Sequence, residues 1–86
     1  MGMKSFSIES FMTEQLGLSG NELVLFAILW KESKAGKEKV QGNYSLLSGR
    51  MGVTIPTMYN AVKRLIERGF VEQPEKGVYA VSVNLS

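Results

Sequence analysis

The sequence predicts a mainly α-helical fold of the α+β class that ends in a small β-hairpin. Two observations carry this prediction. Four segments place apolar residues at helical spacing between residues typical of helix starts and helix ends. The last of these segments is followed by two short runs typical of β-strands, which Pro-Glu-Lys-Gly separates. A chain of 86 residues can bury one small core, so we expect residues 1–86 to form a single domain.

The first predicted helix lies in SIESFMTEQLG, residues 7–17. Ser7 is placed to cap its start, and Gly17 is placed to end it. Its apolar residues recur on one side at helical spacing: Ile8, Phe11, Met12 and Leu16. This side either covers the next helix of the same chain or forms the interface of a homodimer, and the sequence favours the two alternatives equally.

The second predicted helix begins after Ser19, which has the spacing of a capping box with Glu22. Eight consecutive apolar residues follow at 23–30, so this helix is apolar on nearly all sides. We therefore expect it at the centre of the fold, with its aromatic residues in the core and its end near Gly36. A charged loop follows, in which Val40 marks a candidate short strand.

The strongest local signals lie between Tyr44 and Gly69. A short helix in YSLLSGRMG ends at Gly52, a residue type suited to a left-handed cap. Thr54 then caps a longer helix, predicted over residues 55–68, which has Pro56 in its first turn. The apolar stripe of this longer helix consists of Met58, Ala61, Val62, Leu65 and Ile66. Together the two helices and the turn between them form a helix-turn-helix unit.

The hairpin is predicted in FVEQPEKGVYAVSVN, residues 70–84. The residues from Pro74 to Gly77 form its predicted turn, because proline and glycine interrupt strands and favour turns. In the second run Tyr79, Val81 and Val83 alternate with other residues and should share one face of the strand.

The composition argues against several classes of function. The chain has no cysteine and no histidine, so disulfides, the usual zinc sites and histidine-dependent catalytic triads cannot form. Its carboxylates are scattered singly, and no nucleophile stands beside a base, so we expect neither an enzyme nor a cofactor. The longest apolar run is too short to span a bilayer, and the N-terminus lacks the pattern of a signal peptide. We therefore expect a cytoplasmic protein without a membrane partner.

Charge is distributed unevenly along the chain, whose formal net charge is +2. Residues 1–30 carry one basic and three acidic side chains, a balance of −2, whereas residues 31–86 carry nine basic and five acidic ones, a balance of +4. This basic bias permits a polyanionic partner such as DNA but does not require one.

Two stretches, LSGNELVLFAILW and LLSGRMGVTIPTMYNAVKRLIERGFVEQ, resemble the winged helix-turn-helix DNA-binding domains of bacterial MarR-like regulators and of phage and plasmid replication initiators. The resemblance covers residues 18–83 and leaves residues 1–17 as an N-terminal helical extension. It implies a transcriptional regulator that binds double-stranded DNA, with the helix at 55–68 in the major groove. A homodimer through the N-terminal helix and the first core helix would match palindromic sites.

This resemblance makes the outward side chains of the helix at 55–68 candidates for DNA contact. Asn60 can form two hydrogen bonds with an adenine edge, and Lys63 can reach guanine or a phosphate. Thr57 and Tyr59 can donate to phosphates or touch a thymine methyl group. The complete predicted set is Thr54, Pro56, Thr57, Tyr59, Asn60, Lys63 and Arg64, with Arg50 as a phosphate anchor and Lys76 in the wing.

Two alternative functions stay open. The predicted wing carries Glu72 and Glu75 against the single Lys76, and Glu67 shares the face of the candidate DNA contacts. These acidic residues suit a winged helix that serves as a protein–protein interaction module. A narrower alternative keeps DNA as the partner and makes the chain the DNA-binding part of a replication initiator.

Overall fold

Residues 8–82, the part of the chain that the computed structural model describes, form four α-helices and one three-stranded antiparallel sheet. In chain order these elements are α1 (Ser10–Glu14), α2 (Gly20–Glu32), β1 (Val40–Gln41), α3 (Tyr44–Met51), α4 (Ile55–Glu67), β2 (Val71–Glu75) and β3 (Val78–Val81). The predicted α+β class with a C-terminal hairpin is confirmed. One cluster of buried side chains includes residues from every one of these elements.

The first helix is shorter than predicted. It spans five residues, and Glu9 precedes it without a side-chain capping bond. The predicted cap, Ser7, lies outside the described residues. Ile8 was predicted on the buried side but is exposed, because the helix begins after it and does not carry it round to the core. Met12 and Leu16 are buried as predicted.

The second helix occupies the centre of the fold, as its apolar sequence predicts. Five consecutive side chains, Leu25 to Leu29, are completely buried, which requires neighbours on every side of the helix. The helix ends at Glu32, with Ser33 as its C-cap, so the predicted end near Gly36 is too late. No helix within residues 8–82 is long and apolar enough to cross a membrane.

Aromatic rings join α1 to α2. The ring of Phe11 lies edge-on to Trp30, with 5.0 Å between centroids, and to Phe26 at 6.3 Å. Phe26 also contacts Phe70, which follows α4. Phe6, an aromatic residue whose spacing also suits the core, lies outside the described residues. The apolar side of α1 therefore covers α2 within the same chain, which is one of the two arrangements the sequence allows. The homodimer stays a prediction.

The unit formed by α3, the turn and α4 follows the local signals closely. Asn43 caps α3 through a 2.7 Å hydrogen bond from the Leu46 amide to its Oδ1. Gly52 then takes the predicted left-handed conformation, with φ of +77°. Thr54 caps α4, which ends one residue before the predicted residue 68. The buried stripe of α4 consists of Met58, Ala61, Val62 and Leu65, whereas Ile66 lies at its exposed edge.

The third strand lies in the middle of the sheet. Its Tyr79 pairs with Val40 of β1, and its Val81 pairs with Val71 of β2, both in antiparallel register. The candidate strand at Val40 is therefore confirmed. Tyr79 is completely buried and Val81 is half-buried, whereas Val83 lies outside the described residues.

The hairpin turn is shorter than predicted. Lys76 and Gly77 alone join the two strands, and Gly77 adopts a φ of +79°. Pro74 and Glu75, which the sequence placed in the turn, belong to β2. The register shifts between Glu72 and Glu75, which accommodates a proline that cannot donate to the ladder.

Candidate functional site

The outward face of α4 carries the side chains that were predicted to contact DNA. Because the opposite side of the helix is packed into the core, these side chains are directed away from it. Thr57 is half-buried, and the others on this helix are exposed: Pro56, Tyr59, Asn60, Lys63 and Arg64. The structure therefore brings this part of the predicted set together on one surface.

The two threonines at the start of α4 bond to one another. The Thr57 amide donates to Thr54 Oγ1 at 3.4 Å, and the Thr54 hydroxyl donates to Thr57 Oγ1 at 2.9 Å. The Thr54 hydroxyl is thereby committed to the cap. The hydroxyl proton of Thr57 is left to donate to another acceptor. Of these two predicted contacts, Thr57 is the better placed to donate to a phosphate.

Asn60 and Lys63 are two further polar residues on this face that are available to a partner. Neither side chain forms a hydrogen bond or an ion pair with another residue between 8 and 82. The exposed amide group of Asn60 and the exposed ammonium group of Lys63 cost little to desolvate only if a partner replaces the lost water contacts. A partner with hydrogen-bond acceptors, or with both donors and acceptors, therefore fits this part of the surface.

The two predicted arginine contacts are engaged with carboxylates of α2. Arg64 Nε lies 3.9 Å from Glu22 Oε2, and Arg50 Nη1 lies 3.2 Å from Glu32 Oε2. The Arg64 side chain is 69% exposed, whereas that of Arg50 is 26% exposed. Arg64 can therefore turn to an external anion more easily than Arg50 can. The predicted role of Arg50 as a phosphate anchor would require it to exchange Glu32 for DNA.

A shallow groove separates the outward face of α4 from the start of α2. Its volume is about 330 Å³, and its walls include Asn21 and Glu22 from α2 and Thr57, Asn60 and Arg64 from α4. Asn21 and Glu22 were not predicted as site residues, since Glu22 was assigned to a capping box. That box does not form, because the Ser19 side chain makes no capping bond and the Glu22 carboxylate turns to Arg64 and Arg68.

Tyr44, which sequence reasoning also missed, links α4 to the hairpin. Its ring lies edge-on to Tyr59 with 5.5 Å between centroids, and its hydroxyl accepts a 3.4 Å hydrogen bond from Gln73 of β2. Tyr59 therefore packs against a neighbouring ring on one side, while 47% of its surface stays exposed. Nothing in the sequence between positions 44 and 59 signals this contact, which depends on how α3 packs against α4.

A buried hydroxyl lies behind this pair of rings. Tyr79 is completely buried, and its hydroxyl has no hydrogen-bond partner within the described part of the chain. Burial raises the pKa of Tyr79 well above its ordinary value, and the nearby Tyr44 hydroxyl raises it further. Tyr79 therefore stays neutral over the physiological range, and it supports the site by packing only.

The turn of the hairpin lies beside the start of α3. A small hollow of about 140 Å³ is lined by Asn43, Tyr44, Lys76 and Gly77. Lys76 is exposed, and so are Glu72 and Glu75 on the neighbouring strand. The hairpin thus presents two carboxylates and one ammonium group, as its composition predicts. Among residues 8–82, no three acidic side chains lie close enough together to hold a metal ion.

The chain was compared with known protein families, with characterised proteins and with solved structures, and none of these comparisons finds a match.

Proposed function

We propose that this protein is a winged helix-turn-helix protein that binds double-stranded DNA in a sequence-specific manner, as a transcriptional regulator, with α4 in the major groove. The order of the elements supports this proposal. A hairpin directly follows the α3–turn–α4 unit, and β1 pairs with the second strand of that hairpin to give the sheet order β1-β3-β2. Such an arrangement leaves one long face of α4 uncovered beside the hairpin.

The observation that carries the proposal is the chemistry of that uncovered face. It presents Asn60 and Lys63, which have no hydrogen-bond or ion-pair partner among residues 8–82, and Thr57 and Arg64 lie on either side of them. An asparagine and a lysine in the middle of an exposed helix match the donors and acceptors of base edges in the major groove. Thr57 and Arg64 match the phosphates on either side of the groove.

The wing supplies little positive charge to this interface. Lys76 is its only cation between residues 71 and 81, and Glu72 and Glu75 are exposed on the same hairpin. Phosphate contacts give most of the sequence-independent affinity of DNA-binding proteins. We therefore expect α4 to provide most of the binding energy, and we expect affinity for random duplex to be modest.

The second candidate function is a winged-helix module that binds another protein, and the acidic hairpin is the observation that favours it. A narrower form of the main proposal is the DNA-binding part of a replication initiator. In either DNA-binding form, a homodimer through α1 and α2 would bind a palindromic site. Sedimentation of the protein alone tests the dimer, because a monomer at high concentration excludes it.

Selection of bound duplexes from a random pool tests the main proposal. We expect enrichment of a short motif, and we expect Asn60→Ala to lose roughly 1–3 kcal/mol on that motif and to relax the preference at one base pair. Gln15→Ala is a matched control, because it removes an exposed amide from the segment after α1. Failure to enrich any motif, or equal profiles for the two variants, would contradict the assignment of α4 as the reading helix.

A further inference from the structure

Glu22, in the first turn of α2, lies between Arg64 of α4 and Arg68, the C-cap residue that follows α4. Its Oε1 is 3.4 Å from Arg68 Nη1, and its Oε2 is 3.9 Å from Arg64 Nε. The Glu22 side chain is only 21% exposed, so the carboxylate is held in place by its surroundings. One carboxylate on α2 is therefore shared by two cations one helical turn apart, Arg64 within α4 and Arg68 at its C-cap.

The two arginines differ in how firmly they are held. Arg68 Nη2 donates a 2.6 Å hydrogen bond to the Leu16 carbonyl, and its guanidinium lies 5.1 Å from the centroid of the Phe70 ring. Arg64 has Glu22 as its ion-pair partner among the described residues, at a longer distance, and its side chain is 69% exposed. Arg68 is thus a fixed part of the fold, whereas Arg64 can leave Glu22 for another anion.

We propose that Glu22 competes with DNA phosphate for Arg64 and thereby lowers the affinity of the protein for DNA. This inference rests on the proposed function, and it assigns a residue outside α4 to the control of binding. In the free protein the Glu22 carboxylate neutralises Arg64 at the edge of the groove between α2 and α4. A phosphate that binds Arg64 must displace this carboxylate and must also approach its negative charge.

The expected size of the effect follows from the geometry of the pair. An exposed ion pair of this kind contributes about 0.2–1 kcal/mol, which corresponds to a factor of about 1.4–5 in affinity. Removal of the carboxylate should therefore raise affinity for DNA by this factor, roughly 1.4- to fivefold, at low salt. Because surface pairs are screened, this gain should shrink as the salt concentration rises.

The test measures binding of Glu22→Gln to a random-sequence duplex by fluorescence anisotropy, in the parent and in the Arg64→Gln background. We expect the gain in affinity in the parent background only. Glu14→Gln is the matched control, since it makes the same change in net charge at an exposed position at the end of α1. An equal gain for the control, an equal gain in the Arg64→Gln background, or no gain at all would overturn the inference.

Glu22→Gln should keep the fold, because the bond from Arg68 to the Leu16 carbonyl does not involve Glu22. Thermal unfolding of each variant checks that the fold is retained, and a second variant, Glu22→Asp, tests the same inference independently. Glu22→Asp keeps the charge but shortens the side chain, which withdraws the carboxylate from the already long contact with Arg64. Glu22→Asp should therefore also raise the affinity for DNA, and an unchanged affinity would contradict competition between Glu22 and phosphate for Arg64. If the parent protein does not bind duplex DNA at low salt, the proposed function is wrong. If the parent binds but the Glu22 variants bind with the same affinity, only the inference about Glu22 is wrong.

Discussion

Arg68 connects the end of α4 to the segment between α1 and α2, and its replacement by alanine should destabilise the protein strongly. The guanidinium makes three contacts at once: with the Leu16 carbonyl at 2.6 Å, with Glu22 at 3.4 Å and with the Phe70 ring at 5.1 Å. In Arg68→Ala all three are lost, and the Leu16 carbonyl is left without its side-chain donor.

The expected loss of stability can be worked out from these contacts. A hydrogen bond from a charged group contributes about 1.5–3 kcal/mol, an exposed ion pair about 0.2–1 kcal/mol, and an exposed cation–π contact about 0.5–1 kcal/mol. Arg68 is 40% exposed and the three contacts share one group, so their sum is an upper bound. We expect a loss of about 2 kcal/mol, which corresponds to a fall in Tm of roughly 8–16 °C for a chain of this size.

Thermal unfolding followed by circular dichroism measures this loss, with two comparison variants. Arg68→Lys keeps the charge but cannot bond to Leu16 and Glu22 through a planar fork, so its Tm should lie between those of Arg68→Ala and the parent. Lys63→Ala removes an exposed cation without a partner among residues 8–82 and should change stability by less than about 0.5 kcal/mol. A Tm for Arg68→Ala within about 2 °C of the parent would refute the structural role assigned to Arg68.

Two further predictions concern the backbone of the turn and the buried tyrosine. Gly52→Ala should lower the free energy of unfolding by about 1–2 kcal/mol, because Gly52 has a φ of +77°. Gly49→Ala should raise it by about 0.5–1 kcal/mol, because Gly49 lies inside α3 and a Cβ there would meet open space. Equal changes in Tm for the two variants would contradict this prediction. Burial raises the pKa of Tyr79 in the folded state, so as pH rises the Tyr79 hydroxyl of the unfolded chain loses its proton before that of the folded protein. Proton loss then favours the unfolded chain, and the free energy of unfolding should fall as pH rises above about 10. Tyr79→Phe should reduce that fall in a pH series of thermal melts, and an identical alkaline profile would show that Tyr79 is not its cause.

The parts of the fold that were predicted well are those that local signals determine. Gly52, Thr54 and Pro56 each specify the backbone at their own position, so the turn and the start of α4 follow from the sequence alone. The burial of Met58 and Leu65 follows equally from spacing along one helix.

The errors arise where packing between distant segments decides the outcome. Glu22 was assigned to a cap because Ser19 is three residues away, but its carboxylate instead contacts Arg68, 46 residues along the chain. Tyr44 likewise contacts Tyr59 and Gln73 only once α3, α4 and β2 are packed together. No pattern in a single sequence reports such contacts.

The hairpin shows a second kind of error, in which composition predicted the wrong boundary for the turn. Proline and glycine at positions 74 and 77 favour a turn between them, but the structure keeps Pro74 in β2. The register shifts between Glu72 and Glu75, so Pro74 lies where the strand pairing is irregular and a backbone N–H donor is not needed. The position of a bulge depends on both strands, so it could not be predicted from one.

The most direct test of the central claim is the salt dependence of binding to a random-sequence duplex for Lys63→Glu and Lys37→Glu. Both variants make the same change in charge at an exposed lysine, but only Lys63 lies on the outward face of α4. If that face binds DNA, Lys63→Glu should weaken binding strongly and reduce the slope of log affinity against log salt by about 0.9, whereas Lys37→Glu should keep the parent slope. Equal affinities and equal slopes for the two variants would contradict the claim that α4 binds DNA.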